Sequence, residues 1–148
     1  EVTQRGSGVS FRHVGAILSS TFQEIEARFH QGGHITGAPS GFIDLDRLTG
    51  GFQPGSFNII AARPSMGKTA LALGLAMHIA LEVGSPVLVF SLEMSAEQLV
   101  QRMLGAEARV NIHDLRTGAF ADEAWDDLAE AAGRLSQSPI YIDDSSLL

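Results

Sequence analysis

Residues 57–69 read Phe-Asn-Ile-Ile-Ala-Ala-Arg-Pro-Ser-Met-Gly-Lys-Thr: a short apolar run of β character, then a tight loop that closes on Gly67-Lys68-Thr69 before a strongly helical stretch. Strand, loop and helix in this order predict a phosphate-binding loop. A polyphosphate is held by backbone N–H groups converging from a loop and a helix N-terminus, with one long cation reaching the outer phosphates. Gly67 lets the backbone approach, Lys68 supplies the cation, and the Thr69 hydroxyl lies where a Mg²⁺ ion shared with a nucleotide takes a ligand. Arg63, Pro64, Ser65 and Met66 form the body of the loop. The general pattern G-x-x-x-x-G-K-[ST] has Gly where this chain has Ala62, and Ala fills that place only with a negative φ. The blander reading is a Gly-Lys-Thr that merely ends a loop, and the order of the flanking elements argues against it.

At 148 residues and 45% hydrophobic content, the chain can bury one core of ordinary size, so one domain with an appended element is expected. A net charge of −7 is not the electrostatic footprint of a nucleic-acid binder, which leaves such contacts local or outside this sequence. With no cysteine there is neither a disulfide scaffold nor a thiolate metal site. The longest apolar stretch, 70–81 with His78 inside it, falls short of the roughly 20 residues that span a bilayer, so no membrane span is expected. The sequence starts at Glu1 and has no charged-then-apolar leader, which reads as a piece of a longer soluble protein.

From Ser10 to His30, apolar residues fall at Phe11, Val14, Leu18, Phe22, Ile25 and Phe29. Those alternating steps of three and four predict an amphipathic helix, with Ser10 as N-cap and Gln31-Gly32-Gly33 as its end. A short helical turn is expected around Leu45 and Leu48, then a Gly50-Gly51 break, a Pro54-Gly55 turn and a first strand at 57–61. The helix 70–82 is apolar nearly all round, and the continuous run 87–92 reads as a strand covered on both faces. Ser95 and Gln98 make a capping box for a helix to about Gly105. A further helix at 122–135 would present Trp125, Leu128, Ala129, Ala132 and Leu135, and 140–142 is a third short strand. Strands alternating with helices give an α/β fold with a parallel sheet, whose ligands bind at the carboxyl ends of the strands.

Glu93 follows the strand 87–92, at the same carboxyl edge as the phosphate loop if the two strands are neighbours. A carboxylate there can orient or deprotonate the water that attacks a γ-phosphate, and it can equally be an acid favoured by the dipole of the next helix. Asp143 and Asp144 also follow a strand and mimic a Mg²⁺-holding acid, but any Asp after a strand does so. His30 and His34 have the spacing of a metal pair, which Gly32-Gly33 breaks, and His78 reads as a packed helix residue.

Ala62-Arg-Pro-Ser-Met-Gly-Lys-Thr69, Ser91-Leu-Glu-Met-Ser95, the lead-in Gly41-Phe-Ile-Asp-Leu-Asp-Arg-Leu-Thr-Gly-Gly51 and Pro139-Ile-Tyr-Ile-Asp-Asp144 together resemble the bacterial replicative DNA helicases of the DnaB type. The lead-in is shared with RecA-like recombinases and clock ATPases, whereas the phosphate loop with Ala62 and Pro64 and the Ser-Leu-Glu-Met-Ser run are much more specific. The resemblance implies a linker with its helix at 1–36 and the N-terminal part of a RecA-like P-loop ATPase domain at 37–148. It implies a cytoplasmic homohexameric ring that uses ATP and Mg²⁺ to translocate on single-stranded DNA and unwind the replication fork, working with primase and a helicase loader. Lys68 and Thr69 become phosphate and Mg²⁺ contacts, Glu93 the catalytic base, and the 10–30 helix a strut on the neighbouring subunit. The Mg²⁺-orienting Asp, the arginine finger and the DNA loops are implied to lie beyond Leu148, which demotes Asp143 and Asp144. A RecA-like recombinase or regulatory ATPase would share the phosphate loop without the linker helix, and a nucleotide-gated assembly module would bind without turnover.

Overall fold

The computed structural model describes residues 11–31 and 35–145. Six helices and two strands follow in the order α1 (Val14–Gln31), α2 (Ile43–Thr49), α3 (Lys68–Leu81), β1 (Val87–Phe90), α4 (Ala96–Glu107), α5 (Ile112–Thr117), α6 (Ala124–Ser136) and β2 (Ile140–Asp143). β1 and β2 pair in parallel, Val87 opposite Ile140 and Phe90 opposite Asp143, which is the parallel α/β arrangement expected. The connection between them contains the helices α4 to α6, as a parallel pair requires.

Only one face of this sheet is packed. Val89, Ile140 and Ile142 lie against Leu73 and Met77 of α3 and Leu99 and Met103 of α4. Leu88, Phe90 and Tyr141 point the other way and are exposed, so the strand expected to be covered on both faces is bare on one. The strand expected at 57–61 is not formed either. Strand identity requires a hydrogen-bonded neighbour, and among the described residues none pairs with this segment; Phe57 and Ile59 lie in solvent.

α4 carries the expected capping box: the Ser95 hydroxyl accepts the Gln98 N–H while the Gln98 side chain accepts from the Ser95 N–H. α6 buries Leu128 and Ala131 against Ala108, with Leu135 half-buried, while Trp125, Ala129 and Ala132 are exposed. Its buried line is therefore rotated from the expected stripe, because the residues that turn inward are 128, 131 and 135 rather than the larger Trp125. Trp125 instead sits edge-on to Phe120. α5 is an element the sequence patterns do not announce: Asn111 caps it by accepting the His113 N–H, and Gly118 ends it in the left-handed conformation. α1 forms as expected, but its stripe is exposed along its length, from Leu18 at 48% to Phe29 at 82%. Ser10, Gly32, Gly33 and His34 lie outside the described residues. No described helix is long and apolar enough to cross a membrane.

Candidate functional site

The phosphate-loop segment turns through two left-handed residues. Arg63 C=O accepts the Met66 N–H at 3.3 Å across a turn in which Pro64 takes the second place and Ser65, with φ +65°, the third. Pro64 presets the turn, and Ser65 adopts a conformation more often taken by glycine. Gly67 then sits at the N-cap of α3 with φ +83° and ψ +15°, a position where a β-carbon would be strained. Ala62 is not among the positive-φ residues, which is the condition under which Ala replaces the customary glycine.

The consequence is a helix start with its donors free. The first helical N–H to find a backbone acceptor is that of Leu71, which donates to Gly67 C=O at 2.9 Å. The amides of Lys68, Thr69 and Ala70 precede it and have no intrahelical partner, no side chain among the described residues caps them, and the first turn carries no acidic residue. Lys68 is exposed at the first helical position and Thr69 is half-buried beside it. This donor set suits a polyphosphate, and a hydroxyl next to it suits a phosphate-bound Mg²⁺. The described residues hold no group of three or more His, Cys, Asp or Glu that would bind a metal without such a ligand.

Glu93 is exposed on a turn that Ser91 builds. The Ser91 hydroxyl donates to Met94 C=O at 2.7 Å and accepts the Met94 N–H at 3.1 Å, closing residues 91–94 immediately after β1. Glu93 lines a polar cavity of about 390 Å³ with Met94, Gln98, Gln101, Arg102, Ile112 and Arg116. The condition for Glu93 and Lys68 to share a carboxyl edge was that the strand 57–61 neighbour β1, and that strand is not formed among the described residues.

The two aspartates at the end of β2 have other work. Asp143 accepts from both the hydroxyl and the N–H of Ser145, which together hold its carboxyl below the ordinary value of 3.8, the hydroxyl contributing most. Asp144 accepts the Ala96 N–H at 2.8 Å and so caps α4 from 48 residues away. Asp46 carries no functional signal in the sequence, yet it is the one charged side chain buried among the described residues. No periodicity flags it, because it lies in a seven-residue helix whose neighbours are exposed.

Residues 37–148 match the family model described as DnaB-like helicase C terminal domain. The chain is 49% identical over 145 residues to "Replicative DNA helicase DnaC" of Bacillus subtilis (strain 168), covering 98% of this chain and 32% of that protein. It has the same identity and coverage with "Replicative DNA helicase DnaB" of Geobacillus stearothermophilus, and 43% identity over 137 residues with the Helicobacter pylori (strain ATCC 700392 / 26695) protein of that name, covering 92% and 28%. Among solved structures, one described as an ATPase domain superposes with a TM-score of 0.82 at 37% identity, over 93% of this chain and 48% of that one. A DnaB-like replicative helicase described with its interactions with primase gives 0.80 at 39% identity, over 87% and 31%. The chain spans about a third of the length of the curated relatives it matches.

Proposed function

We propose, for a chain that belongs to the DnaB-like helicase C-terminal domain family and has the RecA-like fold of its ATPase domains, that the whole protein is an ATP-dependent replicative DNA helicase. The observation that carries the reading is the start of α3, where a left-handed Gly67 leaves a row of amides free with Lys68 among them. In this reading residues 62–69 (Ala62, Arg63, Pro64, Ser65, Met66, Gly67, Lys68 and Thr69) cradle the nucleotide phosphates. The free amides point at the phosphates with no reorganisation, and the Lys68 ammonium offsets negative charge that builds on the outer phosphate in the transition state. Thr69 would hold Mg²⁺ through its hydroxyl, and the ion would supply neutralisation of the phosphate oxygens.

Glu93 is the general base. Its carboxylate accepts a proton from the attacking water, and the Ser91 turn fixes where that carboxylate starts from. The protein works as a cytoplasmic homohexamer on single-stranded DNA, with residues 1–36 as linker and 37–148 as part of the ATPase domain; primase and a loader are its partners. The primase described with one structural relative supports the first of these. The decisive experiment is Lys68→Ala in full-length protein, with far-UV circular dichroism as a fold control. ATP turnover and unwinding should both be lost, with and without single-stranded DNA. A folded variant that turns ATP over at the wild-type rate would overturn the assignment.

A further inference from the structure

The lead-in 36–53 is a closed unit. Thr36 and Gly37 N–H groups both donate to Gly50 C=O at 2.9 Å, and Ala38 and Phe52 exchange both backbone bonds of an antiparallel bridge at 2.9 and 2.8 Å. Inside the loop so closed, Asp46 is 3% exposed and its Oδ1 accepts the Ser40 N–H at 2.8 Å, while Ser40 is 2% exposed. A buried charge persists only where hydrogen bonds and countercharge hold it. Gly41 follows with φ +84° and lies close against the imidazole of His78: a β-carbon there would stand 2.7 Å from the ring Cγ. His78 belongs to α3, the helix that Lys68 and Thr69 begin.

The same unit also faces, across a cavity, the chain that enters the phosphate loop. Ser40, Leu45, Thr49, Gly51 and Phe52 share a cavity of about 200 Å³ with Asn58, Ile59 and Ile60 on one side and Leu71 and Leu75 of α3 on the other. The segment running into the loop and the helix leaving it thus both line a cavity with the lead-in. The 57–61 segment has no strand partner among the described residues, and its Asn58, Ile59 and Ile60 face the lead-in across this cavity.

We propose that the lead-in is a brace for the phosphate loop and that Asp46 is its positioning residue, holding the Ser40–Gly41 corner against His78 so that residues 62–69 keep a nucleotide-ready shape. Asp46 touches no phosphate and acts through the corner it fixes. The proposal rests on the reading of 62–69 as a nucleotide site. Loss of the carboxylate leaves the Ser40 N–H buried without an acceptor, the corner moves off α3, and the loop loses order at both ends.

The test uses full-length protein, the fluorescent nucleotide mant-ADP with Mg²⁺, and hydrogen exchange of the 58–70 amides. Asp46→Ala should weaken mant-ADP binding by about tenfold or more, in line with the cost of slightly misplaced binding groups, and should speed exchange at 58–70. Asp46→Asn, which keeps an acceptor for Ser40, should stay within a few-fold of wild type, a rescue that general loss of stability would not give. If Asp46→Ala does not fold, Gly41→Ala pushes on the same corner from the His78 side and should weaken binding in the same way. A folded Asp46→Ala, or failing that a folded Gly41→Ala, with wild-type affinity and exchange overturns the brace. Lys68→Ala measured alongside separates the two claims: if it too binds mant-ADP normally, the nucleotide-site reading fails, and if it alone loses binding, only the brace does.

Discussion

In the proposed reading, the chemistry of this domain rests on one carboxylate, that of Glu93 on the turn 91–94. Glu93→Gln keeps size and hydrogen-bonding shape but cannot take a proton, so nucleotide affinity should be retained while hydrolysis falls by about 10²–10⁴-fold; a rate within a few-fold of wild type would return Glu93 to the role of an acid near a helix end. Asp143 and Asp144 should matter far less to turnover, because the first is engaged by Ser145 and the second by the amide of Ala96. Asp46 gives a titration with a definite sign. The Ser40 hydroxyl and then the Ser40 N–H hold its carboxyl below the ordinary 3.8, with the charge of His78 adding a smaller pull in the same direction. A depressed native value means stability that is present above the unfolded value and is lost as pH falls through the native one. The wild-type advantage in melting temperature over Asp46→Asn should therefore be full at neutral pH and shrink below about pH 4. A gap that stays constant down to pH 3 would show that the Asp46 charge contributes nothing to the fold.

α4 shows how elements here are tied together over long sequence distance. Its N-terminus is satisfied locally by the Ser95–Gln98 box and remotely by Asp144, which fixes the end of β2 to the start of the helix. Asp144→Ala should cost about 1 kcal/mol, the usual worth of an N-cap, read as a lower denaturation midpoint with ATP turnover retained in full-length protein. A loss of turnover as deep as that of Glu93→Gln would show that Asp144 serves the chemistry. The capping box was legible because Ser95 and Gln98 are three residues apart, and so were α1, α3 and the phosphate turn, whose signals are periodic or local. Asp144 as a cap was not, since its partner is 48 residues distant. α5 escaped for another reason: with six residues and no buried side chain, it carries no apolar stripe to read. The strand at 57–61 was legible as an apolar run but its formation was not, because a strand is a property of a pair and the sequence of one member cannot supply the other. The α6 face was misjudged by weighting Trp125 as a core residue, whereas the surface it meets accepts Leu128 and the small Ala131.

For the molecule as a whole, the apolar surface left in water is the feature that calls for a partner. Phe57 and Ile59 before the phosphate loop, and Leu88, Phe90 and Tyr141 on the sheet, are exposed, and a two-stranded sheet with one bare face is marginal by itself. In relatives of which this chain spans 32%, there is ample further chain to cover them. The α1 stripe differs from these, because every side chain described on its helix is exposed. Phe11, Val14, Leu18, Phe22, Ile25 and Phe29 are all in water, and burying each such side chain is worth about 1.5–3 kcal/mol. A helix with one uncovered apolar stripe docks on another surface, and a heterologous contact between identical copies closes into a ring when the rotation between them allows it. We propose that α1 ties neighbouring subunits of the proposed hexamer together, so that adjacent ATP sites in that assembly would stay connected as each opens and closes. Phe22→Glu combined with Ile25→Glu places two charges in the middle of the stripe. In full-length protein this variant should shift the hexamer toward smaller species in analytical ultracentrifugation, while the nucleotide affinity of the domain stays near wild type. A double variant that remains hexameric, or a structure of the full-length protein with the stripe packed on its own domain, would make α1 a local lid and remove it from the assembly.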